Sequence, residues 1–333
     1  RLMFSISAIL DLFGLNGTVK LPLELYSHGD QVQQWQTGIA TDRVSVGWGG
    51  RMADLIKDMN EEQRLSMAIS LSGNNLYQQG KQTVPFSTGS WGPNTFWPLI
   101  AENPLQRAMK GVLEARYADA FKQTFVDVTL NAHEASQVFA RAYENRISFS
   151  TDISGSDLAD NLRMIARTIA SRKGLGVKRQ IFYVSFGNFD YHDELINAQY
   201  RDLGNFSSAI GAFYQAMEEL GVTNQVTTFT MSDFARTLTS NGNGTDHAWG
   251  SNALVFGGAV NGGKFYNEYP SLKLDSNLEV GGGVILPTLS TDEYFAELAL
   301  WFGVSPNELG TIFPGLSNFY SASSGMMPIG FMG

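Results

Sequence analysis

The residues with the clearest capacity for chemistry are carboxylates and imidazoles that follow two apolar, β-rich runs of the chain. The runs cover residues 181–186 and 226–231, and an acidic residue follows each of them within a few positions. Because the chain has no cysteine, a divalent metal would be held by carboxylate, amide, imidazole or water ligands. The candidate metal ligands are Asp190, His192, Asp233, Asp246 and His247.

Each candidate also has a structural interpretation that the sequence leaves open. Asp190 and His192 lie two positions apart, so they could bind one ion or form an Asx-turn with a hydrogen-bonded imidazole. Asp233 could bind a second metal or cap the turn after its strand. Of the neighbours Asp246 and His247, only one side chain is expected to point inward. We choose His247, with a structural hydrogen bond across the loop as its alternative.

Arg236 is the candidate for binding an anionic substrate. Its guanidinium could hold a substrate oxygen bidentately, or it could pair with Asp233 three positions earlier. His28, beside Asp30 in a short polar stretch, is interpreted as a loop anchor rather than a ligand. The Gly-x-Ser-x-Gly pattern of serine hydrolases is absent, so a serine triad is disfavoured and the sequence identifies no nucleophile.

The middle of the chain alternates between helical and strand patterns, which would position these loops. Ser156 is predicted to cap a helix, and a second helix is predicted over 194–220, between the two strand runs. This βαβ order predicts parallel strands joined by a right-handed crossover. Since ligands gather at the carboxyl ends of such strands, Asp190 and Asp233 are expected to face one site. The apolar face of the first helix is Leu158, Leu162, Ile165 and Ile169.

The flanking regions are less regular. Residues 52–150 are predicted to form an irregular part rich in helices and loops. A capping box at Ser290 and Glu293 predicts the start of a late helix. The first ten residues are predicted to form a strand of the mature protein rather than a signal peptide. Helical patterns in the irregular part lie at about residues 52–58, 105–125 and 134–145.

Composition limits the class of protein. Over 333 residues, a hydrophobic content of 43% with 17% charged residues predicts a globular chain with a large core. The net charge of −9 argues against a nucleic-acid partner, because phosphate neutralisation needs an excess of Lys and Arg. No apolar run reaches the roughly 18 residues of a transmembrane candidate. Many aromatic residues and few charges favour a homo-oligomer.

The chain resembles the bacterial family called domain of unknown function 1501, which is grouped with the alkaline-phosphatase-like superfamily of phosphatases and sulfatases. The resemblance depends on short motifs spread over most of the chain rather than on any one of them. The motifs are LYSHGDQ at 25–31, GWGGR at 47–51, FDYH at 189–192, SDFART at 232–237, TDHAWG at 245–250 and GGAVNGGK at 257–264.

The resemblance implies a fold, a location and a reaction. The fold would be α/β, a mostly parallel central sheet flanked by helices, in a single alkaline-phosphatase-like domain over residues 1–333. The protein would be exported, often through a twin-arginine signal, and would be periplasmic or extracellular. It would hydrolyse phosphate or sulfate esters of small anionic substrates with a bound divalent metal ion such as Zn, Mg, Mn or Ca.

Two departures from the family pattern bear on this reading. Family members usually carry an upstream strand that ends in a Gly-Gly-Asn-Asp type of loop, and the present sequence starts after that point, so we expect this first strand to be missing. Ala235 and Ala248 stand where the family often has glycine. The alternative function is therefore a non-catalytic secreted structural or binding protein that retains the fold.

Overall fold

The computed structural model describes residues 22–93, 103–144, 148–187 and 189–333, and for 142–144 only the backbone. The strand predicted over the first ten residues lies outside this part of the chain. The helices are α1 (His28–Thr37), α2 (Trp48–Ile56), α3 (Pro104–Glu114), α4 (Ala120–Glu144), α5 (Asp157–Ala170), α6 (Leu195–Glu219), α7 (Thr291–Phe302) and α8 (Leu309–Ile312). The strands are β1 (Ala68–Ser70), β2 (Phe86–Ser87), β3 (Ile181–Tyr183), β4 (Thr227–Phe229), β5 (Arg236–Ser240), β6 (Thr245–His247) and β7 (Val255–Gly257).

The chain divides into two compact units. The first comprises Arg1–Met52, Asn188–Asp202 and Thr223–Gly333, and the second comprises Ala53–Gly187 and Leu203–Val222. Strands β1, β2 and β3 belong to the second unit, whereas β4 to β7 belong to the first. The candidate site residues all lie in the first unit.

The described strands form one small parallel sheet and two antiparallel pairs. In the parallel sheet the strand order is β2-β1-β3, and the three residues of β1 are buried. Strand β4 pairs with β7, and β5 pairs with β6, both antiparallel. The protein is therefore mixed α/β. None of the helices in the described part of the chain combines the length and the apolar character that crossing a bilayer requires.

The predicted pairing of the two strand runs is wrong, because β3 and β4 belong to different sheets. The neighbour of β3 is β1, which comes from the part of the chain predicted to be irregular. The neighbour of β4 is β7, where Gly257 allows the backbones to approach closely: a Cβ there would lie 2.6 Å from the carbonyl oxygen of Val226. An apolar run predicts a strand, but it does not specify the strand's partner.

The local helix signals are confirmed. Ser156 caps α5 by accepting a hydrogen bond from the backbone N–H of Ala159, and all four predicted apolar positions of this helix are buried. The capping box of Ser290 and Glu293 is formed at the start of α7. The predicted helix 105–125 is instead divided into α3 and α4, because Asp119 caps a new helix through the N–H of Lys122 at 2.9 Å.

An aromatic core in the first unit supports the helix that carries His28. The ring of Trp48 stacks on Phe295 with centroids 4.5 Å apart. Arg51, which follows Trp48 on α2, donates hydrogen bonds to the carbonyl oxygens of Ile312 and Thr37. Since Thr37 is the last residue of α1, these contacts fix the end of that helix against the core.

Asp292, in the first turn of α7, gives the first unit a pH-dependent stability. Only 8% of this residue is exposed, and burial raises its pKa from 3.8 to about 6 against the opposing charge of Arg51. The folded protein therefore keeps a proton that the unfolded chain has lost. This contribution to the free energy of unfolding is complete below pH 3.8 and is lost as the pH rises through about 6.

Replacing Asp292 by Asn is expected to remove this loss, because the amide resembles the protonated acid and does not titrate. The difference in free energy of unfolding, variant minus wild type, should increase by about 3 kcal/mol as the pH rises from about 4 to about 7. Urea unfolding at a series of pH values measures the difference. Asp275→Asn, at an exposed carboxylate, is the control. Parallel stability profiles for wild type and Asp292→Asn would contradict the prediction.

Candidate metal centre

Three imidazoles surround the carboxylate of Asp190. The Nε2 atom of His28 lies 3.1 Å from Oδ2 of Asp190, and the Nε2 atoms of His192 and His247 lie 3.1 Å and 3.0 Å from Oδ1. The two Nε2 atoms of His192 and His247 are 2.9 Å apart. A tetrahedral Zn²⁺ with bonds of about 2.0–2.1 Å places its ligand atoms about 3.3 Å apart. Ligand atoms of His28, Asp190 and His247 all lie within 4.8 Å of one another and His192 adjoins them, so the cluster has dimensions compatible with a metal site.

Each of these imidazoles has a hydrogen-bond acceptor on its other nitrogen, Nδ1. Carboxylate and carbonyl oxygens only accept hydrogen bonds, so each Nδ1 must carry the proton. With Nδ1 protonated, Nε2 either carries a second proton that it shares with Asp190 or, as the lone pair of the neutral imidazole, binds a metal. The pairs are His28 with Asp233, His192 with Asp246 at 3.2 Å, and His247 with the backbone carbonyl of Tyr26 at 2.9 Å.

Arg236 is engaged within the protein. Its guanidinium donates to Oδ1 of Asp190, to the hydroxyl of Thr245 at 3.2 Å and to the carbonyl of Thr245. Its ion pair is with Asp190 and not with Asp233, the partner that the sequence suggested. The charge of Arg236 therefore holds the carboxylate at the centre of the cluster.

The β5–β6 hairpin brings His247 against the loop that carries His192. The N–H of Thr245 donates to the carbonyl of Tyr191 at 3.0 Å. Gly244, in the turn of the hairpin, lies so close to this loop that a Cβ would be 2.3 Å from the carbonyl carbon of His192. Glycine is required at this position because any side chain would separate the two loops.

The start of α1 brings His28 to the cluster. The buried side chain of Gln31 accepts from the N–H of Tyr26 and donates to the carbonyl of Asp233 at 3.5 Å, so it connects two segments that flank His28. Tyr26 has a φ of 68°, a conformation that aromatic residues rarely adopt and that is often found at functional sites. The buried ring of Phe234 lies 4.6 Å and 4.3 Å from the rings of His28 and His247.

Local interactions shift the pKa values of three groups in and around the cluster: His28, Asp190 and Asp246. The hydrogen bond to Asp233 raises the pKa of His28 despite partial desolvation. Burial alone would raise the pKa of Asp190, but the hydrogen bond from His28 and the charge of Arg236 outweigh it and lower the pKa. A hydrogen bond from Asn241 lowers the pKa of Asp246. The carboxylates are therefore ionised near neutral pH, and bound protons compete with a cation for the imidazoles.

The structure brings together most of the candidate residues from the sequence. Two of them, Asp233 and Asp246, lie behind the imidazoles and not beside Asp190. Asp190, His192 and His247 meet directly. Asp233 and Asp246 contact the cluster only through the far nitrogen of an imidazole. The convergence does not occur at the edge of one sheet, since the two preceding strands belong to different sheets.

His28 is the site residue that sequence reasoning missed. Its short polar stretch indicates a loop anchor, yet His28 contacts both Asp190 and Asp233. The signal that could have found it is the scarcity of histidine. The chain has four histidines, and three of them lie in this cluster. The fourth, His133, lies on α4 in the other unit.

The fold and the cluster define a mixed α/β protein with a candidate centre of three histidines and one aspartate. The family model described as "Protein of unknown function (DUF1501)" matches residues 102–282, more than half of the chain. The chain belongs to this family. The matched segment contains every candidate ligand except His28. Comparison with curated proteins and with solved structures gave no match.

Proposed function

We propose that the protein is an exported, metal-dependent hydrolase of phosphate or sulfate esters, with an alkaline-phosphatase-like core. The metal would be held by the Nε2 atoms of His28, His192 and His247 and by the carboxylate of Asp190. The observation that carries the proposal is the orientation of the three imidazoles. The three Nε2 atoms all lie within 3.1 Å of the Asp190 carboxylate, and three lone pairs beside one carboxylate repel it unless a cation or additional protons lie between them.

The ligand set favours particular metals. Mg²⁺ and Ca²⁺ prefer oxygen ligands, whereas imidazoles suit borderline ions such as Zn²⁺. Three imidazoles with one carboxylate therefore favour Zn²⁺ among the ions that the sequence left open. All four side chains are partly exposed, between 23% and 47%, so a substrate has access to the centre.

The charges of the centre suit an anionic substrate. The four ligands contribute one negative charge through Asp190, and the guanidinium of Arg236 offsets it. A divalent ion in the centre would supply Lewis acidity that polarises an ester and stabilises developing negative charge. Arg236 is better placed to hold Asp190 than to bind substrate, because its guanidinium is hydrogen-bonded to Asp190 and Thr245.

The proposal is tested by metal content and turnover. Purified protein is expected to contain about one divalent ion per chain by elemental analysis, as one set of four ligands requires. Chelation should abolish hydrolysis of p-nitrophenyl phosphate or p-nitrophenyl sulfate, and Zn²⁺ should restore it. A protein that binds no metal after dialysis against Zn²⁺ would contradict the proposal. Stoichiometric metal without turnover would support the alternative of a non-catalytic binding protein.

A further inference from the structure

Asp233 and Asp246 both contact the nitrogen of an imidazole that faces away from Asp190. Asp233 is bound to Nδ1 of His28, and Asp246 lies 3.2 Å from Nδ1 of His192. The two nitrogens of an imidazole project to different sides of the ring. A carboxylate on Nδ1 therefore stays outside the point at which the Nε2 atoms converge.

The carboxylate of Asp233 is held by several partners. One oxygen binds His28, and the other accepts from the hydroxyl of Ser232 at 3.2 Å and from the N–H of Phe234 at 3.0 Å. The backbone carbonyl of the same residue accepts from Gln31. These contacts fix the carboxylate in the place where it orients the ring of His28.

Asp246 has the corresponding position for His192. Its Oδ1 atom accepts from the side-chain amide of Asn241 at 3.1 Å as well as facing His192. Along β6 successive side chains point to opposite faces of the strand. Asp246 and His247 therefore approach the cluster from different sides, and they contact different nitrogens of the imidazoles.

We infer that Asp233 and Asp246 are positioning residues, not metal ligands: each holds the Nδ1 proton of one imidazole and thereby directs its Nε2 atom at Asp190. This inference rests on the proposed function for the identity of the bound group, but it concerns the tautomer of His28 and His192, which exists without metal. Loss of such an outer partner typically weakens metal binding about 10- to 100-fold.

The tautomers can be measured in metal-free protein. Two-bond ¹H–¹⁵N spectra of histidine-labelled protein, at mildly alkaline pH, should show His28 and His192 protonated at Nδ1. Asp233→Ala should change the nitrogen shifts of His28 and leave His192 unchanged, and Asp246→Ala should do the reverse. The control Asp193→Ala removes an exposed carboxylate that pairs with Asn243, and it should change neither ring. Unchanged tautomers in both aspartate variants would overturn the inference.

Metal binding distinguishes a positioning residue from a ligand. Asp233→Ala and Asp246→Ala should each weaken Zn²⁺ affinity about 10- to 100-fold, with the visible spectrum of the Co²⁺ form unchanged in shape. Asp→Asn at either position should weaken Zn²⁺ affinity less than Asp→Ala does, because the amide oxygen still accepts a hydrogen bond from Nδ1. A changed Co²⁺ spectrum would identify a ligand and overturn the inference. If the wild type binds no metal, the proposed function fails while the tautomer measurement still decides the role of both residues.

Discussion

Replacement of His247 by alanine is expected to weaken divalent metal binding by more than the roughly 10- to 100-fold that loss of an outer partner costs. The variant removes one of the four proposed donor atoms. It also removes the ring that packs on Phe234 and hydrogen-bonds to the carbonyl of Tyr26. Under the proposed function, turnover of a phosphate or sulfate monoester should fall with metal occupancy. Competition with a chromophoric chelator measures the affinity.

The same experiment has an internal control in the remaining histidine of the chain. His133 lies on α4, and its Nε2 atom is 2.9 Å from the amide nitrogen of Gln137. His133→Ala should bind metal as the wild type does, whereas His28→Ala should resemble His247→Ala. Equal affinity in His247→Ala and wild type would refute the proposed centre. A loss as large in His133→Ala would show that metal binds elsewhere or that folding is impaired.

Local structure was the part of the fold that could be predicted from the sequence. The caps at Ser156 and Ser290 depend on residues within one helical turn, so nearby sequence is sufficient to specify them. Strand pairing could not be predicted. The partner of β3 is the segment 68–70, more than 100 positions earlier in the chain. All three residues of that strand are buried, and such a short apolar run does not indicate which strand will pair with it.

The sequence also predicts only part of the candidate site. The loop after β3 was found because polar residues that follow an apolar run are conspicuous. The Asp246–His247 pair was found because it is an Asp-His dipeptide in a Gly-rich loop of the kind that the family resemblance implies. His28 was missed because its contact with Asp190 spans 162 positions and its own neighbourhood resembles an ordinary polar turn. The positions of Asp233 and Asp246 relative to the centre could not be predicted, since they depend on which nitrogen of each imidazole faces them.

Gly244 provides the second test with a large expected effect, because the two loops that carry the proposed ligands His192 and His247 meet there. In Gly244→Ala the added Cβ would lie 2.3 Å from the carbonyl carbon and 2.4 Å from the carbonyl oxygen of His192. Backbone atoms cannot move aside as a flexible side chain can, so the hairpin and the loop must separate. We expect a loss of about 3 kcal/mol in free energy of unfolding, at the upper end of overpacking costs.

The same separation should act on the proposed metal centre, since His192 and His247 lie on the two sides of this contact. Zn²⁺ affinity of folded Gly244→Ala is expected to fall at least about tenfold, because ligand atoms must be held within about 0.5 Å of their places. Gly204→Ala is the matched control. Its Cβ would meet nothing within 4 Å, and alanine favours α6 by about 0.5–1 kcal/mol. Urea unfolding and chelator competition on both variants measure the two effects. Wild-type stability and affinity in Gly244→Ala would mean that the close approach of these loops does not build the centre.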